Sequence, residues 1–277
     1  MSAEPAEPAE PSSAYLDTAI DLVRRAGALQ RDAFGRSFRI DKKGTIDLVT
    51  EVDVAVERMF RERLAERHPG HDVLGEELGG PADGGTSDYC WICDPIDGTT
   101  NFAHGLPFFC STVALEVRGR LEVGAVYDPM RDELFSTRRG GGAFLNGQTL
   151  AVSSTTALID SLLVTGFPYS VQVQLEDLVR TFGAFLARSR AVRRLGSAAL
   201  DICYVAAGRM DGFWEQGLNA WDIAAGVLLV QEAGGRVTDL DGGPFDLRTG
   251  RIVASNGPIH DAMLDVLRAV GGEAPPA

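Results

Sequence analysis

Asp94-Pro95-Ile96-Asp97-Gly98-Thr99-Thr100-Asn101 is the stretch on which the reading of this chain turns. Two carboxylates three residues apart enclose a proline and run into a glycine and two hydroxyls. The apolar run before them, 89–93, reads as a buried strand. Pro95 pushes Asp94 away from helical conformation, and Asp97-Gly98 is turn chemistry. The segment is therefore expected to leave a strand, turn sharply and start a helix. Free backbone N–H groups of Gly98, Thr99 and Thr100 at that helix start suit an anion. Carboxylates beside an anion repel it unless cations lie between, which points to a metal-bridged phosphate site. The alternative is a junction whose Asp and Thr side chains only cap the backbone.

Lys and Arg number 26 against 39 Asp and Glu, a formal net charge of -13. Such a chain lacks the basic footprint of a nucleic-acid or anionic-membrane binder. No apolar stretch is long enough to span a bilayer. Residues 1–11 repeat Ala-Glu-Pro and are expected to form a disordered acidic tail, neither signal nor transit peptide. Residues 271–277 are expected to fray, and a cytoplasmic location is expected. Cys90 and Cys93 form a C-x-x-C, a spacing used in redox and zinc sites. On a strand, however, residues three apart point to opposite faces, and no second pair follows, so a buried structural role is expected.

A first helix is expected from Ser12 or Ser13 to about Phe34, with Leu16, Ala19, Ile20, Val23 and Ala26 as its apolar stripe. A second covers 51–67, with Val54, Val56, Met59, Phe60 and Leu64 inward, and Pro69-Gly70 ends it. Residues 110–150 read as an antiparallel meander turning at Arg118-Gly119-Arg120, Asp128-Pro129 and Asn146-Gly147. Gly140-Gly141-Gly142 lies inside that meander and is a turn, not a phosphate loop. After 153 the rhythm becomes strand–helix. Strands are expected near 162–165, 191–194, 212–214, 236–239 and 252–254, and helices near 174–188, 197–207, 222–233 and 259–270. The chain thus divides into an α+β part, 12–152, and an α/β part, 153–270.

Acidic residues recur at other junctions. In Asp47-Leu48-Val49-Thr50-Glu51-Val52-Asp53, the Thr50/Asp53 pair fits a capping box. Gly75-Glu76-Glu77 reads alone as a charged strand end. In Trp221-Asp222-Ile223-Ala224-Ala225-Gly226, Asp222 fits a helix N-cap. Glu215 follows Phe213-Trp214 at a strand end. Each local reading stands by itself, but together these residues supply an all-oxygen ligand set without His or Cys, suited to magnesium or manganese and not zinc.

With these motifs in this order, the chain resembles the inositol monophosphatase family of metal-dependent phosphomonoesterases, particularly its bacterial members, over nearly its whole length. The resemblance implies a layered αβαβα sandwich of α+β and α/β parts. It implies a first metal on Glu76, Asp94 and the Ile96 carbonyl, a second on Asp94, Asp97 and Asp222, and a weaker third near Glu76. Asp53 and Thr99, with Glu76, would serve catalysis by orienting the attacking water, and the N–H groups of Gly98 and Thr99 would hold the phosphate. Gly196, Ser197, Ala198 and Glu215, with Asp97, would form the substrate pocket. Lys42 aligns with a lysine on a mobile loop near the metals, or is a solvated neighbour of Lys43. Magnesium, two to three ions with manganese as a substitute, lithium sensitivity and a homodimer are implied as well.

Glu215 accepts hydroxyl donors and repels a second phosphate, so myo-inositol 1-phosphate is the expected substrate. Arg190, Arg193 and Arg194 count toward a bisphosphate unless they form a solvated edge. Fructose-1,6-bisphosphatase, histidinol-phosphatase and 3'-phosphoadenosine 5'-phosphate phosphatase are the alternatives within the superfamily. A regulatory protein-binding module with incidental catalysis is an alternative of another class.

Overall fold

A computed structural model describes residues 12–36, 39–44, 47–80 and 85–272. Helix α1 (Ser12–Ala33) buries Tyr15, Ala19, Leu22, Val23 and Ala26. Its inward stripe is rotated from the one read in sequence, because Tyr15 packs in an aromatic cluster with His68 and Trp91 while Leu16 and Ile20 are only half-buried. A short hairpin, β1 (Ile40–Lys42) and β2 (Leu48–Thr50), leads into α2 (Glu51–Arg67). Thr50 caps that helix: Val52 and Asp53 donate backbone N–H groups to its hydroxyl, and Thr50 N donates back to Asp53 Oδ2 at 2.8 Å. The same side chains face the site described below, so the capping box and the functional role coexist.

The larger sheet has seven strands in the order β3-β4-β5-β6-β7-β8-β9. β3 (Asp72–Gly75) pairs in parallel with β4 (Tyr89–Asp97). After the short helix α3 (Thr99–Ala103), β5 (Cys110–Val117), β6 (Arg120–Asp128), β7 (Glu133–Arg138), β8 (Ala143–Leu145) and β9 (Gln148–Thr149) form the meander. Arg118-Gly119 and Asn146-Gly147 take the left-handed conformation that tight hairpin turns require. Cys90 packs on one side of β4 and Cys93 on the other.

β4 does not stop at Cys93. It runs to Asp97 with a bulge, since Asp94 lies opposite Thr112 and Asp97 opposite Cys110. Pro95 has no N–H to give a ladder. Its carbonyl is taken instead by Gln30 Nε2 and Ser111 Oγ, each at 2.7 Å. On a regular strand Asp94 and Asp97 would point to opposite faces. The extra residue of the bulge lets both face one cavity.

The smaller sheet contains β10 (Leu162–Thr165), β11 (Ala191–Arg193), β12 (Gly212–Gln216), β13 (Arg236–Thr238) and β14 (Arg251–Ser255), in the order β11-β10-β12-β14-β13. β14 runs against its neighbours and the other strands are parallel. Helices α5 (Ala198–Ala206) and α6 (Ala220–Glu232) form the layer between the two sheets. Helices α4 (Leu175–Leu186) and α7 (His260–Gly272) cover the outer face of the smaller sheet, and α1 and α2 the outer face of the larger one. The fold is the expected layered αβαβα sandwich. Gly271 and Gly272 belong to α7, whereas the tail expected at 1–11 and residues 273–277 lie outside the described residues.

α6 approaches the larger sheet at a glycine. A Cβ on Gly124 of β6 would lie 3.0 Å from Ala225 Cα and 3.1 Å from Ala225 Cβ. Substituting Gly124→Val should push α6 outward and lower the unfolding free energy by about 1–3 kcal/mol. Chemical denaturation checks this; unchanged stability would mean that the α6 contact yields freely.

Candidate active site

Where β4, α5, α6 and β12 meet there is a cavity of about 370 Å³, lined by Glu76, Asp94, Asp97, Thr99, Ser197 and Glu215 among others. Carboxylate oxygens of Asp94, Asp97 and Asp222 lie within 4.8 Å of one another. Asp94 and Asp97 are 1% and 8% exposed. Asp222 sits on the first turn of α6 and accepts a 2.7 Å hydrogen bond from Asn219 N. The helix starts at Ala220 with Asn219 as its N-cap, so Asp222 is the third helical residue and not the cap itself.

Burial, then the charges of Glu76, Asp97 and Asp222, hold the Asp94 carboxyl well above the usual carboxylate range. Burial, joined by the Asp97 charge, does the same to Asp222. Asp97 is pushed by burial up to about 6, although hydrogen bonds from Ser197 Oγ (2.5 Å) and Ala199 N (2.7 Å) oppose the shift. Asp94 Oδ1 has no hydrogen-bond partner among the described residues. Buried carboxylates this close require protons or cations between them. An orphaned buried oxygen and an all-oxygen donor set fit hard divalent cations.

Glu76 borders the same cavity but stands outside this closest trio. Lys43 Nζ lies 2.9 Å from Glu76 Oε1 and 2.6 Å from Glu77 Oε1. Lys42, which the resemblance aligned with a loop lysine near the metals, has an exposed side chain on β1, as the alternative reading of a solvated neighbour of Lys43 expects. Adjacent residues of an extended segment point in different directions, and here it is Lys43 that reaches the acidic pair. A second residue escaped the sequence reading altogether. Glu57 of α2 is fully buried and accepts N–H groups from Glu77 (2.7 Å) and Leu78 (3.1 Å), with Arg61 alongside at 2.8 Å. It fixes the turn that carries Glu76. Its only sequence signal is Gly75, where a Cβ would come within 2.2 Å of Glu57 Oε1.

Thr99 Oγ1 is 3.2 Å from Asp53 Oδ1 and 2.8 Å from the Ile96 carbonyl oxygen. Burial pushes Asp53 up to about 6, against hydrogen bonds from Thr50. Gly98 has φ +97°, and a Cβ there would sit 3.1 Å from the Phe108 carbonyl, so glycine is required. Asn101 Nδ2 donates to the carbonyls of Phe108 (2.8 Å) and Leu195 (2.9 Å), tying the motif to the segment of Gly196, Ser197 and Ala198. Glu215 packs directly on Gly166, where a Cβ would lie 2.2 Å from its Oε2, and burial pushes it up to about 8. Of the three arginines, Arg194 borders the cavity, whereas Arg190 pairs with Asp160 at 3.1 Å and Arg193 is exposed. A larger cavity of about 840 Å³ lies on the α4 and α7 side of Glu215 and lacks the carboxylate trio.

The sequence profile described as the inositol monophosphatase family matches residues 12–271. The chain belongs to the inositol monophosphatase family. It is 44% identical to an inositol-1-monophosphatase of Mesorhizobium japonicum, with 92% of this chain and 97% of the relative covered. It is 43% identical to the Nus factor SuhB of Escherichia coli, with 91% and 95% covered. The structure of an inositol monophosphatase from Anabaena (Nostoc) sp. superposes with a TM-score of 0.85 at 40% identity, over 93% of this chain and 96% of that one. In this inositol monophosphatase family member, Glu76, Asp94, Ile96, Asp97, Gly98, Thr99, Gly196, Ser197, Ala198, Glu215 and Asp222 line one cavity; Asp53 lies behind it in contact with Thr99, and Lys42 is not in its lining.

The perturbed carboxylates set a pH dependence. Asp53 and Asp97 start from 3.8 and rise to about 6, and Glu215 goes from 4.5 to about 8. Groups whose folded pKa is raised bind protons more tightly in the folded state. Their stabilisation is full below the unfolded values and is lost as pH rises through the folded ones. The melting temperature of metal-free protein should therefore fall between pH 5 and pH 8, and millimolar magnesium should restore it at pH 8. A flat profile, or no response to magnesium, would contradict this.

Proposed function

We propose that the protein is a magnesium-dependent phosphomonoesterase that hydrolyses a small polyol monophosphate, myo-inositol 1-phosphate foremost. The observation that carries this is the carboxylate trio Asp94, Asp97 and Asp222, two of them buried, with its orphaned oxygen, beside the Gly98–Thr99 turn. Glu76, Asp94 and the Ile96 carbonyl would hold one cation, and Asp94, Asp97 and Asp222 another, with a weaker third near Glu76 and manganese as a substitute. Divalent cations bound there neutralise the phosphate and lower the pKa of a water.

The remaining work falls to the chain's own side chains. The Thr99 hydroxyl donates its proton to Asp53 or to the Ile96 carbonyl. Its lone pairs are then left to accept from, and so orient, the attacking water. The N–H groups of Gly98 and Thr99 receive phosphate oxygens. Gly196, Ser197 and Ala198 wall the pocket, and Glu215 accepts substrate hydroxyls. With Arg190 held by Asp160 and Arg193 outside the cavity lining, Arg194 alone of the three arginines remains to attract a second phosphate. That favours a monophosphate over fructose 1,6-bisphosphate.

Lithium inhibition, a homodimer and a cytoplasmic location complete the proposal by family analogy; no described helix is long and apolar enough to cross a membrane. The relatives named Nus factor SuhB favour a second reading, a protein-partner role on the same fold. Hydrolysis is preferred because the buried carboxylates destabilise a chain that does not bind cations.

Phosphate release at fixed magnesium from inositol 1-phosphate, fructose 1,6-bisphosphate, histidinol phosphate and 3'-phosphoadenosine 5'-phosphate is the test. Inositol 1-phosphate should give the highest kcat/KM, with inhibition by millimolar lithium. Asp97→Asn and Thr99→Ala should each lower kcat on the order of 100-fold. A bisphosphate preference would refute the substrate assignment, and wild-type rates in both variants would refute the mechanism.

A further inference from the structure

Asp201 is a carboxylate that the phosphate chemistry leaves unused. It lies four residues after Ser197, one turn further along the same face of α5. It is 1% exposed, and its Oδ1 has no hydrogen-bond partner among the described residues. Its sequence neighbours Ala199, Leu200, Ile202 and Cys203 are fully buried and apolar. Packing alone would be better served there by an apolar side chain, because an unpaired buried acceptor costs free energy. Asp201 borders the same cavity as Glu215 and Arg194. Burial, then the Glu215 charge, raises its pKa, and Arg194 opposes the shift.

Two buried carboxylates therefore face one guanidinium, the one cationic side chain among the described residues lining that cavity. Arg194 is itself engaged over the Phe167 ring, 5.8 Å from its centroid. Carboxyl groups outnumber cationic partners in this part of the site, and ligand hydroxyls, which both donate and accept, suit them in either protonation state. We propose that Asp201 is a specificity-determining residue that, together with Glu215, forms a two-carboxylate acceptor for the hydroxyl groups of a polyol phosphate. This rests on the reading of the site as a polyol-phosphate hydrolase. It explains why a carboxyl group persists inside an apolar helix face, and it adds a second hydroxyl reader to the pocket.

The test compares wild type, Asp201→Leu and Asp201→Asn at saturating magnesium on myo-inositol 1-phosphate, on p-nitrophenyl phosphate, which has no ring hydroxyls, and on histidinol phosphate, which brings an ammonium. The ratio of kcat/KM on the polyol to that on the aryl phosphate should fall about tenfold or more in D201L, chiefly through KM. D201N keeps one acceptor oxygen and should fall about fivefold, with a melting temperature close to that of wild type, since side-chain volume and polarity are kept. A ratio within twofold of wild type in D201L, or in D201N should D201L fail to fold, overturns the proposal. So does a loss confined to histidinol phosphate. Failure of the wild-type enzyme on every polyol phosphate would instead refute the functional reading on which the proposal stands, and the proposal with it.

Discussion

Mutual repulsion among Asp94, Asp97 and Asp222 is the constraint around which the structure is organised. Their oxygens lie within 4.8 Å, and Asp94 and Asp97 are almost wholly buried. In a medium of low polarity such a cluster is unfavourable without counter-charge. Burial raises all three pKa values, which is the protein's response when only protons are available. The all-oxygen donor set offers the alternative response, a divalent cation.

Several devices outside the cluster hold it together against that repulsion. The bulge at Pro95-Ile96 turns two carboxylates from opposite faces of a strand to one cavity. Gln30, from a distant helix, and Ser111 take the carbonyl the bulge removes from the ladder. The start of α5 donates to Asp97 through Ser197 and Ala199. Gly124 lets α6, and with it Asp222, settle close on the larger sheet. Glu57 anchors the turn of Glu76 from beneath. The site is thus assembled from both sheets and the helical layer they share, and no one segment contains it.

Much of this was legible in the chain. The capping box at Thr50 and Asp53, the hairpin turns at Arg118-Gly119 and Asn146-Gly147, and the opposed cysteines follow from local rules of spacing and conformation, and each is found in place. So is the strand–helix rhythm after residue 153. What escaped the reading depends on long-range partners. The continuation of β4 past Cys93 depends on Gln30 and Ser111, 65 and 16 residues from Pro95. The rotation of α1 depends on an aromatic cluster with His68, at the end of α2, and Trp91, on β4. Glu57 looks like any exposed glutamate of an amphipathic helix until Gly75 is seen against it. The pairing of Lys43 with Glu76 and Glu77 is set by the hairpin geometry, which spacing does not reveal. Arg194 differs from Arg190 in the same way, because Asp160 captures one and the cavity receives the other.

The central claim, that the carboxylate cluster is a cation site held ready by burial, is tested most directly by titrating magnesium into metal-free protein at pH 5.5, below the value of about 6 to which burial pushes Asp97, by calorimetry in buffers of different ionisation enthalpy. The account predicts saturable binding accompanied by proton release, because carboxyls held protonated by burial must ionise to act as ligands. Asp94→Asn should weaken that binding and diminish the protons released. Absence of saturable binding at millimolar magnesium, or binding with no proton release, would contradict the account.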